Sequence, residues 1–173
     1  MAAYQLNTAH TDLIQGLLSD LKMEFQGSYS RIAHCLAQLP EDEVWWRPYE
    51  EMNAIGNLIL HLCGNLGQWV LAGVGGKPDV RRRAEEFSHR EPLPKAFLLE
   101  KLQNILAEVY PVIERLNESR LLERRHIQSY HTTVLTALLH VVHHFEGHAQ
   151  EIIYITRMRL GSKYQYQWEP KSP

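Results

Sequence analysis

The chain has 173 residues, of which 45% are hydrophobic and 22% charged, and its formal net charge is -2. This length predicts one domain, spanning residues 1–173, with a sizeable core. The near-neutral charge gives no electrostatic reason to expect a nucleic-acid partner. No apolar run reaches the roughly 18 residues of a membrane span, and two cysteines are too few for a secreted disulfide framework. We therefore expect a cytoplasmic protein that binds neither nucleic acid nor membrane.

The first predicted helix covers residues 11–39, where apolar side chains recur at helical spacing until Pro40 ends the pattern. Trp45 and Trp46 follow in a connection. A tryptophan pair in a loop usually packs on the core, and lining a pocket is the alternative.

Asn53 can cap a second helix, which runs from residue 55 to about Gly73 and carries His61 among apolar neighbours. Residues 81–94 begin with three arginines, are rich in charge and contain prolines. They predict a solvated surface loop.

A third helix is predicted from about Pro94 to Leu116. Pro111 removes a backbone donor inside it and is expected to kink or split the helix near Ala107. Residues 126–130 alternate between polar and apolar, which predicts either an extended piece or a small hairpin.

The last predicted helix covers residues 132–160. Four long helices in a single small domain favour an all-α four-helix bundle with a short extended segment before the last helix.

The last helix holds four of the ten histidines. His140, His144 and His148 lie one turn apart on one stripe, Glu151 continues that stripe, and His143 is rotated away from it. Two histidines at i and i+4 can place two imidazoles on one metal ion.

A third ligand would have to come from elsewhere in the bundle, and His61 is the best candidate, although a lone buried histidine is more often hydrogen-bonded within a core. His140 could replace His144 as a ligand, donate a hydrogen bond to a liganding residue, or lie one turn too far along the helix to reach the metal. Glu151 could orient a liganding imidazole, act as a general base, or be solvated. Asn65, one turn after His61, is a further residue that can contact a metal ligand without binding the metal itself.

Two stretches resemble a known family. The segment NAIGNLILHLCGNLGQWV is similar to the second-helix pattern of the DinB/YfiT-like superfamily, and HVVHHFEGHAQEI is similar to its fourth-helix signature. The resemblance covers most of the chain. It implies a bundle of up-down-down-up connectivity, usually dimeric, with a divalent metal held by His61, His144 and His148. One departure is the pair Gln150 and Glu151, where the family pattern tends to have Gly-Gln.

The superfamily includes thiol-cofactor S-transferases and a thiol-dependent isomerase. The resemblance thus implies an enzyme in which the metal activates water or a low-molecular-weight thiol for attack on a small electrophilic substrate. Glu151 is the candidate catalytic residue because of its place on the histidine stripe, since the family pattern differs at this position. Zinc, nickel and iron are the expected ions, and copper also suits three imidazoles. A non-catalytic or stress-response bundle, with a metal site closed by His140 or Glu151, is the main alternative. A helical interaction domain without metal is the third.

Overall fold

The computed structural model describes the backbone of residues 2–168 and the side chains of residues 13–168. Residues 1 and 169–173 of the predicted domain lie outside the described range. The helices are α1 (Ala2–Gln38), α2 (Ile55–Leu66), α3 (Arg83–Ser88), α4 (Lys95–Glu114), α5 (Glu118–Leu122) and α6 (Val134–Leu160). A π-helix (Gly67–Val74) extends α2, short 3₁₀ turns lie at Asp42–Trp45 and Gly161–Lys163, and the strands are β1 (Arg124–Ile127) and β2 (Tyr130–Thr133).

Helices α1 and α6 run parallel to each other. Near the middle of α1, Phe25 meets Phe145 edge to face with ring centroids 5.5 Å apart. Further along, Cys35 lies beside Thr156, so residue numbers rise together on the two helices. The buried side chains of both helices belong to one hydrophobic core.

Helix α2 with its π-helical extension runs antiparallel to α6. His61 of α2 contacts His144, whereas Trp69, two turns further on, stacks on His140, which lies earlier in α6. Residue numbers therefore rise along α2 as they fall along α6, which is the mark of two antiparallel helices.

Helix α4 runs antiparallel to α1. Lys95, at the start of α4, donates to the carbonyl of Leu39 at the end of α1. Glu114, at the end of α4, pairs at 2.6 Å with Lys22, which lies near the middle of α1 and so well before Leu39. The directions of the four long helices are therefore up, down, down and up, which confirms the predicted all-α bundle.

The extended segment before α6 is a hairpin. Strands β1 and β2 pair antiparallel, with Ile127 opposite Tyr130, and Gln128 in the connecting turn has a positive φ of 55°. Thr133 then caps α6, because its hydroxyl accepts from the backbone N–H of Thr136.

Of three expectations about local structure, one is confirmed and two are wrong at least in part. Trp45 packs on the core, is buried, and donates its indole N–H to the carbonyl of Leu93. Helix α4 continues through Pro111, so a split of the helix is wrong, whereas a kink near Ala107 stays a prediction. The prediction of a solvated loop for residues 81–94 is also wrong in part, because α3 forms there and Glu86 is buried.

Within residues 2–168, no helix combines the length and the apolar character needed to cross a membrane.

Candidate metal centre

Three imidazoles converge between α2 and α6. His61 is buried on α2 at 4% exposure, and Phe87 of α3 lies against its ring with centroids 4.7 Å apart. His144 and His148 project from successive turns of α6. Each of the three histidines offers one ligand atom, and these atoms all lie within 4.8 Å of one another. The three residues expected from the sequence are therefore brought together.

The nitrogens of His61 have different partners. Its Nδ1 lies 2.9 Å from Oε2 of Glu86, and its Nε2 lies 2.8 Å from Nε2 of His144. A carboxylate only accepts hydrogen bonds, so Nδ1 carries the proton and donates to Glu86. This tautomer leaves the lone pair of Nε2 directed toward α6.

Arg81 fixes the carboxylate of Glu86. Its Nε donates to Oε1 at 2.7 Å and its Nη2 donates to Oε2 at 2.8 Å, a two-pronged arrangement. Nη2 also lies 3.0 Å from Nδ1 of His61, because both groups donate to the same oxygen. Nη1 of Arg81 donates to the side-chain oxygen of Gln68, in the π-helix, at 2.9 Å.

The protonation states suit metal binding. Burial lowers the pKa of His61, and the hydrogen bond to Glu86 offsets this only in part. Burial, followed by the neighbouring charges of His148 and His61, lowers the pKa of His144 to about 3. Both rings are therefore neutral near pH 7, the form in which an imidazole binds a metal.

Glu86 keeps its negative charge in this environment. Burial on its own would raise the pKa of Glu86, but the hydrogen bonds from Arg81 and His61 outweigh it, and the pKa lies below its ordinary value.

Glu151 contacts the site through His148. Its Oε2 lies 2.9 Å from Nδ1 of His148, and its side chain is 44% exposed. This bond leaves Nε2 of His148 as the nitrogen available to an ion. Of the roles open to Glu151, the geometry matches that of an acceptor orienting a liganding imidazole.

His140, His143 and Asn65 lie outside the group of three. His140 is an exposed residue whose ring packs on Trp69, with centroids 4.3 Å apart, and stacks on that of His144. His143 is exposed on another face of α6. Asn65 is buried on α2, and among the described residues the hydrogen bonds of the three histidines go to other partners.

The donor set fits a divalent transition-metal ion. Three neutral imidazoles are the protein ligands of several open catalytic sites, and nitrogen donors suit zinc, nickel, copper and iron alike. Hydrogen bonds from the far nitrogens of His61 and His148 to carboxylates are what liganding histidines commonly make.

Sequence reasoning missed Glu86 and Arg81. They lie in a charged stretch that reads as surface, and nothing local connects them to His61. One signal was available: Gly64 lies in the interior of α2, and a glycine at such a position can mark the close approach of another group. A Cβ at Gly64 would lie 1.9 Å from Oε1 of Glu86.

Comparisons with known proteins place the fold. No match was found among curated proteins. A conserved protein from Enterococcus faecalis has a similar structure, with a TM-score of 0.68 and 16% identity, over 83% of this chain and 96% of that one. A DinB-like protein (YjoA) from Bacillus subtilis is similar with a TM-score of 0.62 and 13% identity, over 87% of this chain and 99% of that one.

At these identities the two structures show a shared DinB-like fold. A family model matches residues 12–171, nearly the whole length. The chain belongs to the family described as "Protein of unknown function (DUF1572)".

Proposed function

We propose that this protein binds a divalent metal ion through His61, His144 and His148 and that it is a metal-dependent enzyme. The observation that carries the proposal is the convergence of three imidazole ligand atoms within 4.8 Å, contributed by two separate helices. Bringing these imidazoles together costs free energy, because a buried imidazole loses hydration that only a binding partner can replace.

The number of donors supports an open site over a closed structural one. Structural zinc sites use four protein ligands, whereas catalytic sites commonly use three and keep a position for water or substrate. In the described part of the chain, neither His140 nor Glu151 joins the group of three. Glu151 engages the far nitrogen of His148, and the ring of His140 is engaged by Trp69.

A divalent ion bound by these residues would supply a Lewis acid that lowers the pKa of a coordinated water or thiol. The residues around it have separate tasks. The neutral rings of His61 and His144 supply lone pairs, and Phe87 packs against the ring of His61. Glu151 orients His148 and, being partly exposed, is the carboxylate placed to exchange protons with solvent.

The reaction class follows from the superfamily resemblance. It makes the substrate a small electrophile and the nucleophile either water, as in a hydrolase, or a low-molecular-weight thiol, as in an S-transferase. A homodimer and a cytoplasmic location belong to the same proposal, and light scattering of the purified protein tests the dimer.

Elemental analysis of protein purified without a histidine tag tests metal binding. We expect one divalent ion per chain in the wild type and loss of that ion in His61→Ala and His144→Ala. His140→Ala is the matched control, because His140 lies one turn from His144 on the same stripe. Loss of metal in His140→Ala together with full occupancy in His61→Ala would contradict the ligand assignment.

Cobalt substitution separates the enzyme from a closed structural site. Addition of a small thiol to the Co²⁺ protein should change the visible absorption spectrum, because an open position can take an exogenous ligand. An absorption spectrum that does not change when the thiol is added at millimolar concentration would favour a closed, non-catalytic site.

A further inference from the structure

We propose that Glu86 is a positioning residue that sets the tautomer and the orientation of His61 for metal binding, and that Arg81 and Gly64 exist in the fold to hold it there. This inference rests on the proposed metal site but concerns residues outside the ligand set.

The first step is the direction of the hydrogen bond. Glu86 accepts from Nδ1 of His61 at 2.9 Å. A neutral imidazole carries one proton, so fixing it on Nδ1 leaves the lone pair of Nε2 free for an ion. Without the carboxylate the proton can occupy either nitrogen, and the ring can rotate away.

The second step is what holds Glu86. The carboxylate receives two hydrogen bonds from Arg81, whose side chain is only 3% exposed. The backbone of α3 is fastened to α2 by Asn57, whose amide donates to the carbonyls of Glu86 and His89. Asn57 is itself fully buried. Both the side chain and the backbone of Glu86 are therefore constrained.

The third step is the room for Glu86 on α2. The carboxylate lies directly over Gly64, one turn after His61, where a Cβ would meet Oε1 at 1.9 Å. Any other residue at this position would displace the carboxylate from His61.

Glu86 and Glu151 differ in how strongly they can constrain a ring. Glu151 is 44% exposed, and among the described residues its side-chain bond goes to His148 alone. Water competes with such a bond, whereas it is excluded from the one between Glu86 and His61. Glu86 should therefore matter more for metal affinity than Glu151.

Metal affinity of the full chain is the first readout, measured with Co²⁺ by competition with a chromophoric chelator. We expect Glu86→Ala to weaken binding about 10- to 100-fold, the usual range for a residue that supports a ligand. Glu86→Gln should lose less, because its amide oxygen can still accept from Nδ1. Glu151→Ala, the matched control at the carboxylate that contacts His148, should change the affinity less than Glu86→Ala does.

Gly64→Ala keeps Glu86 and all three ligands but removes the space that the carboxylate needs. Alanine favours a helix, so the fold should survive. We expect weakened Co²⁺ binding in Gly64→Ala and no further loss when the change is added to Glu86→Ala, since both act through the same contact. Additive losses would contradict the inference.

Nitrogen NMR of the metal-free protein tests the positioning independently of any metal. The imidazole shifts of His61 should report a proton on Nδ1 in the wild type and in Glu86→Gln, and a mixture of tautomers in Glu86→Ala. A proton on Nε2 in the wild type would overturn the role of Glu86. If the wild type binds no metal but His61 carries its proton on Nδ1, the metal site is wrong and the positioning of His61 stands.

Discussion

Arg81 and Glu86 form an ion pair that is almost wholly removed from water, with side chains 3% and 10% exposed. Removal of one partner from a buried pair leaves the other charge without compensation. The neighbouring Arg82 makes a similar pair with Glu85, but both of those side chains lie in solvent. Two adjacent arginines in the same sequence run therefore play different parts.

We expect Arg81→Ala to lower the free energy of unfolding by about 3–5 kcal/mol, since Glu86 would remain buried and unpaired. Arg82→Ala should cause little measurable change, because exposed ion pairs contribute little. Urea denaturation of the two variants makes the comparison. Equal losses would show that burial of the Arg81 pair has no energetic consequence.

The histidines make the stability of the metal-free protein depend on pH. The pKa of His144 falls from an ordinary 6.5 to about 3 in the folded chain, chiefly through burial. As the pH falls below 6.5, His144 becomes protonated in the unfolded chain but stays neutral in the folded chain, so the free energy of unfolding decreases. At high pH both states are neutral and the effect vanishes.

The free energy of unfolding of the chelator-treated protein should therefore drop between pH 7 and pH 5, above the range where carboxylates titrate. His144→Gln should flatten this dependence, because a major contributor is removed. Urea titrations at both pH values provide the measurement. A wild type that is equally stable at pH 7 and pH 5 would count against a neutral, buried His144.

At the scale of elements, the hairpin packs closely against the π-helix at one glycine, Gly73. A Cβ at Gly73 would meet the side chain of Ile127, the buried residue at the end of β1, at 2.5 Å. A Cβ at Gly67, in the same π-helix, would meet nothing within 4 Å. The hairpin thus packs on bare backbone at Gly73.

Gly73→Ala should destabilise the protein by about 1–3 kcal/mol, as expected when a methyl group is forced into a packed contact. Gly67→Ala should be neutral or stabilising by up to about 1 kcal/mol, because alanine is the better helix former. Thermal unfolding followed by circular dichroism compares them. Should both changes prove harmless, the contact between Ile127 and Gly73 is looser than the structure indicates.

At the scale of the whole molecule, a bound ion would connect α2 to α6, two helices that are distant in sequence. A ligand that binds only the folded state stabilises it, by about 2.7 kcal/mol when its concentration is 100 times the Kd. The unfolded chain cannot reproduce the site, because His61 and His144 are brought together only by the bundle.

The Tm should therefore rise when Co²⁺ is added to the chelator-treated wild type and should return when the chelator is restored. His61→Ala should show a much smaller rise. A scanning fluorescence experiment with both proteins decides this. An equal rise in the two would mean that the ion binds elsewhere on the chain.

The sequence by itself determined what depends on local periodicity. Apolar spacing located the four long helices, and the spacing of His144 and His148 placed two imidazoles on neighbouring turns of one helix. Both follow from the geometry of a single helix and need no knowledge of the neighbours. The choice between an extended piece and a hairpin for residues 126–130 stayed open, because strand pairing involves a partner.

The tertiary structure alone decided which of the stripe residues face α2. His144 meets His61 because of where the antiparallel helices cross, and the same crossing leaves His140 against Trp69. It also decided the partner of His61, because Glu86 is 25 residues away and belongs to a stretch that is polar in composition. Periodicity describes one helix at a time, whereas the site depends on how separate elements pack, and that packing is set by the whole core.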